Sequence, residues 1–129
     1  KFSKIIRITG LRHGAVLFRS SILMKSPKVT TVQLYAIVAG TGGWHFINRA
    51  HDEDGTRYDT TEISTETDCS NSALGCITKE HIGINIPVDY LKTKFESGFE
   101  VKYAGTREKV LKVQGWQVKQ IFDAVKPYI

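Results

Sequence analysis

Alternation of apolar and polar residues at every second position recurs along most of this chain, with short turns between the runs. That period belongs to half-buried strands, whose successive side chains point to opposite faces. The cleanest case is Phe99 to Ala104 with Glu108 to Val113, which alternate around Gly105-Thr-Arg107 and read as a hairpin. Ile82, Ile84 and Ile86 share one face of a strand over Glu80 to Ile86, while Gly83 falls on the other face, where a neighbour packs closely. Trp44, Phe46, Asn48 and Ala50 alternate with His45, Ile47, Arg49 and His51. Residues 44–51 therefore read as a strand entering an Asp52-Glu-Asp-Gly55 hairpin turn, and Arg57 to Thr67 as one returning strand. Residues 2–9 and Val29 to Ala39 have strand composition, and Ala15 to Leu23 fits either a strand or a helix.

Helical spacing enters twice. Pro87 suits a helix start, Val88, Leu91 and Phe95 follow at helical intervals, and Gly98 closes the segment, giving a short helix near 87–97. Val118, Ile121, Phe122 and Val125 define an amphipathic helix near 115–126 that stops before Pro127. No strand–helix–strand alternation runs along the chain. The expected fold is α+β, mainly antiparallel sheet with the last helix closing one face, in one domain spanning 1–129.

Charge is unevenly placed. Lys1, Lys4, Arg7, Arg12, Arg19, Lys25, Lys28 and Arg49 stand in residues 1–51 with no acid, and residues 52–129 hold all 13 acids. A basic third joined to an acidic-leaning remainder suits a surface that meets phosphate, anionic lipid or an acidic partner, or else solvated strand faces. Arg7, Arg12, Arg19, Lys25 and Lys28 are the candidate basic surface. Phe2, Phe18, Tyr35, Trp44 and Phe46 lie in or near this third. As stacking platforms they would serve a nucleic-acid binder, but the reading taken here is that they form strand core.

Cys69 and Cys76 enclose Ser-Asn-Ser-Ala-Leu-Gly, a loop composition that lets the two sulfurs meet. A disulfide is the leading reading, ahead of two free thiols and of a metal or catalytic role, for which ligands or a paired base are missing nearby. No run approaches the roughly 20 apolar residues of a membrane-spanning helix, and arginines interrupt every apolar stretch of the first 26 residues.

Catalytic and metal motifs are weak. Gly40-Thr-Gly-Gly43 lacks the following helix that a phosphate loop needs. His45 and His51 would share a strand face but stand too far apart for one metal. Asp52 and Asp54 open like a calcium loop whose remaining ligands are absent. Glu62, Glu66 and Asp68 sit on an ordinary strand, with Glu62 and Glu66 on one face, and nothing marks a cleft. No catalytic residue, metal or cofactor is assigned.

The aromatic strand into the Asp-Gly turn (Trp44 to Gly55), the strand leading to Cys69 and Cys76, the strand and helix from His81 to Gly98, and the hairpin and amphipathic end from Phe99 to Val125 together resemble small exported proteins and lipoproteins of Gram-negative bacteria with no assigned function. The resemblance covers residues 44–125. It implies a periplasmic or cell-envelope location and a binding or structural role, with no catalytic residues to carry over. The leading expectation is a non-enzymatic envelope domain that binds a protein or an anionic envelope component. A cytosolic nucleic-acid-binding accessory protein and a small hydrolase are the alternatives.

Overall fold

A computed structural model describes residues 4–70, 73 and 75–129. Strands β1 (Ile5–Thr9), β2 (Val16–Leu23), β3 (Thr31–Gly40), β4 (Arg49–Asp52), β5 (Arg57–Tyr58), β6 (Thr60–Asp68) and β7 (Ile77–Pro87) are followed by a single helical turn, α1 (Val88–Leu91). The hairpin β8 (Phe99–Ala104) and β9 (Glu108–Val113), the helix α2 (Gly115–Val125) and a 3-10 turn over Lys126–Tyr128 complete the order, so the helical run passes Pro127 as a tighter turn instead of stopping before it. A five-stranded sheet runs β1-β2-β3-β7-β6 and a four-stranded sheet β5-β4-β8-β9. Every pairing is antiparallel, so the α+β, mainly antiparallel expectation is met.

Strand period sets the faces. Phe18 and Ile22 of β2, Val32, Leu34, Ala36 and Val38 of β3 and Ile82, Ile84 and Ile86 of β7 are buried on one face of the larger sheet. They join Phe99, Val101, Tyr103 and Val113 of the smaller sheet in one core, where the Phe18 and Phe99 ring centroids lie 6.4 Å apart. Val118, Ile121, Phe122 and Val125 of α2 close that core. Each fully buried Ile or Phe stabilises the fold by roughly 1.5–3 kcal/mol through apolar burial. Ala15 to Leu23 resolves as strand because its inward positions lie over this core.

The segments between the sheets depart from the expected strands. Residues 44–48 form no strand, since β4 begins only at Arg49. Phe46 adopts a left-handed φ of 51° and is exposed. The cause is tertiary: the Glu80 carboxylate accepts the backbone N–H groups of His45 (2.8 Å) and Ile47 (3.0 Å), so both residues turn inward and Phe46 is turned out. The segment lies directly against Gly105, where a Cβ would fall 2.1 Å from the Phe46 carbonyl oxygen, so only glycine fits. His45 and His51 consequently share no face: His45 is buried beside Glu80, and His51 belongs to the smaller sheet. The return from the Asp-Gly turn also divides. At Asp59 the chain leaves the smaller sheet (β5) for the larger one (β6).

Two further local differences follow from hydrogen bonding. The helix near 87–97 keeps only the turn Val88–Leu91, because Thr93 bonds back to the Tyr90 carbonyl through both its N–H and its hydroxyl and the chain continues as turns. A bulge at Ile63 shifts the β6–β7 register, so Glu62 pairs with Ile82 and Glu66 with Lys79. Glu62 and Glu66 therefore lie on opposite faces, not on one.

Cys69 and Cys76 continue the β6–β7 register beyond the Asp68–Ile77 pair, with Cα atoms 4.2 Å apart, and are joined as a disulfide. The aromatic residues read as core divide: Phe18 is buried, Tyr35 and Trp44 are half-buried, Phe46 is exposed, and Phe2 lies outside the described residues. Among the described residues no helix is long and apolar enough to cross a membrane.

Candidate functional site

The outward face of the larger sheet carries an arrangement of polar side chains drawn from four strands. Register places Arg7 opposite Ser21, Thr9 opposite Arg19, Arg19 opposite Gln33, and Gln33 opposite Asn85 across β1, β2, β3 and β7. All six side chains line one open hollow of about 540 Å³. No carboxylate lines it, and among the described residues neither Arg7 nor Arg19 forms an ion pair. The lysines that do pair are Lys92, Lys94, Lys102 and Lys119, all in the acidic-leaning part of the chain.

Arg19 is held in place without being neutralised. Its Nε donates to the Gln33 side-chain oxygen, and its guanidinium carbon sits 4.6 Å from the Tyr35 ring centroid. Tyr35 is held in turn: its hydroxyl lies 2.5 Å from His81 Nδ1, and His81 Nε2 lies 2.9 Å from Glu66 Oε1. Glu66 as a carboxylate accepts from Nε2–H, which in the neutral ring leaves Nδ1 to accept the Tyr35 hydroxyl. Tyr35 and His81 are diagonal cross-strand neighbours, because Tyr35 faces Gly83 and Ile37 faces His81. Gly83 makes room for this packing: a Cβ there would lie 2.5 Å from the Gln33 amide nitrogen and 3.2 Å from Ile63. The close neighbour expected over Gly83 is thus Gln33 together with the bulged Ile63.

A second hollow of about 300 Å³ adjoins the first and shares Thr9 and Arg19 with it. Its other walls include Arg12 and the half-buried Ala15, Leu17, Tyr35 and Ile37. Helix α2 fixes the loop between β1 and β2 that carries Arg12. The buried Gln117 donates to the carbonyls of Leu11 (3.2 Å) and Val16 (3.1 Å), and Gln120 accepts the Leu11 N–H at 2.8 Å.

The five basic residues singled out in the sequence thus divide. Arg7 and Arg19 meet in one hollow and Arg12 in the next, whereas Lys25 in the turn after β2 and Lys28 before β3 line neither. The neutral partners Thr9, Ser21, Gln33 and Asn85 and the Tyr35–His81–Glu66 chain carried no local motif. Only strand register brings them together.

Two buried carboxylates stand elsewhere, each saturated by protein groups. Glu80 accepts two backbone N–H groups and lies 3.6 Å from His45 Nδ1. Burial, reinforced by the nearby Arg107 and Lys109 charges and opposed by Glu80, holds the His45 pKa below its ordinary value. Asp52 accepts from the N–H groups of Asp54 and Thr56 and from the Tyr58 hydroxyl, all at 2.9 Å. Burial acts to raise its carboxyl, but these donors outweigh burial and hold it below the usual value. Its oxygens serve the turn itself. Among the described residues no group of three His, Cys, Asp or Glu side chains is placed to hold a metal. Trp44 and the exposed Phe46 line a separate hollow with Glu62 and Glu80, away from the arginines.

The molecule is thus defined as an α+β protein of two antiparallel sheets with a basic, neutral-polar hollow on the outer face of the larger one. The chain matches no family model, no curated protein and no solved structure.

Proposed function

We propose that this chain is a non-enzymatic cell-envelope protein of Gram-negative type that binds an anionic component through the Arg7–Arg19 hollow. The observation that carries the reading is a pair of arginines, one held by Gln33 and Tyr35, facing a hollow with hydroxyl and amide groups and no carboxylate. A guanidinium with neutral donors beside it is the arrangement that receives phosphate or carboxylate by several hydrogen bonds at once. The envelope assignment rests on the Cys69–Cys76 disulfide and on the resemblance of residues 44–125 to exported proteins.

The test is titration of the ¹⁵N-labelled protein with glycerol 3-phosphate at low salt. Amide shifts are expected to cluster at Thr9, Arg19, Ser21, Gln33 and Asn85 and to shrink as sodium chloride is added. Shifts scattered over unrelated lysines, or none, would overturn the reading.

One observation favours a second reading. Tyr35, His81 and Glu66 are linked hydroxyl to imidazole to carboxylate, the sequence of groups in which a base activates a nucleophile and a carboxylate orients the base. Turnover of a chromogenic ester that disappears in Tyr35→Phe and His81→Gln would establish it.

A further inference from the structure

We infer that the ligand is an anionic phospholipid at a membrane surface, its phosphate seated in the Arg7–Arg19 hollow. This rests on the anion-binding reading above and adds what surrounds the anion. Among the described residues eight large apolar side chains are exposed; five fall within the basic third, and four of these, Ile5, Leu11, Leu23 and Met24, lie on or beside the β1–β2 hairpin, the fifth being Phe46 in its separate hollow. Ile5 and Leu23 are cross-strand partners on the same outward face as Arg7 and Arg19, because the alternate pair Ile6–Ile22 places the buried Ile22 on the inner face. Leu11, 62% exposed, stands next to Arg12 on the loop between the two hollows' strands.

Apolar side chains therefore flank the basic hollow from both ends of the β1–β2 hairpin, interleaved with Lys4, Arg7, Arg12 and Lys25. A soluble anion gives no reason for exposed leucine and methionine around its site. A bilayer does, since the apolar groups enter the headgroup–acyl boundary while the cations meet the anionic surface. The adjoining hollow agrees: Ala15, Leu17, Ile37 and the Tyr35 ring offer apolar walls at the point where Arg19 is shared. The phosphate and glycerol of the head would meet Arg7, Arg19 and the hydroxyl and amide side chains, and the first apolar atoms would meet Leu17 and Ile37.

The test compares sedimentation of the protein with vesicles of phosphatidylglycerol, sedimentation with vesicles of phosphatidylcholine, and the titration with free glycerol 3-phosphate. The expected result is binding to phosphatidylglycerol at least tenfold tighter than to phosphatidylcholine, and weak binding of the free phosphate. Leu11→Ser and Met24→Ser, both at exposed turn positions, should each lower vesicle binding severalfold and leave the glycerol 3-phosphate shifts unchanged. Arg19→Gln should abolish both signals.

Binding of glycerol 3-phosphate with no preference for phosphatidylglycerol vesicles overturns this inference and leaves the anion-binding reading standing. Failure of both overturns the two together. Equal binding to the two kinds of vesicle, or vesicle binding that Leu11→Ser and Met24→Ser leave intact, also overturns it.

Discussion

The two sides of the larger sheet treat charge in opposite ways. On the inner side Glu80 is withdrawn from water and its carboxylate is met by two backbone N–H groups, with His45 beside it. On the outer side Arg19 is held by Gln33 and Tyr35, and Arg7 stands near it, yet no carboxylate neutralises either among the described residues. A buried charge saturated by the protein's own groups fixes architecture, because any other arrangement leaves it unsolvated. A charge that is positioned but unsaturated still has bonding capacity for something outside the chain. The contrast predicts which substitutions should act on stability and which on binding.

The largest effect is expected at Glu80. Glu80→Ala strands two backbone donors and releases the segment that carries Phe46 in its left-handed conformation, so urea denaturation should show a loss of about 3 kcal/mol. A loss under about 1 kcal/mol would mean that the inner carboxylate is not what holds residues 44–48, and the contrast would fail on that side.

Next in size is the disulfide. It closes an eight-residue loop at the tip of the β6–β7 hairpin, for which chain-entropy bookkeeping gives about 2.5 kcal/mol. The hairpin carries Glu80 on one face and His81 with Glu66 on the other. The Cys69→Ser/Cys76→Ser double variant should therefore lower stability by about that amount while its anion response, read on folded protein, changes little. A lost response would show that the outer face depends on this distant staple.

These expectations separate what the sequence made legible from what it did not. Strand period announced the β8–β9 hairpin at its observed bounds and put Ile82, Ile84 and Ile86 on one face, which is the buried one, because a side-chain alternation needs no knowledge of the partner strand. The same reading failed at Trp44–Asn48, where the alternation is real but the directions are set by a carboxylate more than thirty residues away. It failed again at Glu62 and Glu66, because one bulged residue, Ile63, inverts the face of everything after it. The arginines of the candidate site were visible as a charge imbalance. Gln33, Asn85, Tyr35 and His81 were not, since residues from separate strands become neighbours only through register, and single-residue composition does not record it. Tyr35 was read as core because large aromatics are usually buried, yet here the ring supports a guanidinium on the open face.

A smaller effect follows from His45. Its folded-state pKa is depressed by burial and by Arg107, against the pull of Glu80, so the unfolded chain takes up the proton first. Stability should be full above the unfolded value of 6.5, fall as pH drops through it, and level off below the folded value. His45→Gln should flatten that slope. A slope that persists unchanged would assign the pH response to another group and weaken the view that the inner cluster is electrostatically closed.

The smallest effect on stability is expected at Arg19, and it decides the other half of the contrast. Its contacts are one hydrogen bond to Gln33 and one ring face, both half-buried beside an open hollow, and the glutamine keeps a polar group there, so Arg19→Gln should lower stability to urea by less than about 0.5 kcal/mol. Its glycerol 3-phosphate shifts should vanish, whereas Lys28→Gln, which removes the same charge outside both hollows, should leave them in place. Net charge is equal in these two variants, so a difference between them reports position and not overall electrostatics. If Arg19→Gln instead costs more than about 1.5 kcal/mol, the guanidinium is structural. The outer face would then resemble the inner one, its charge committed to holding β2 against β3 and unavailable to a ligand.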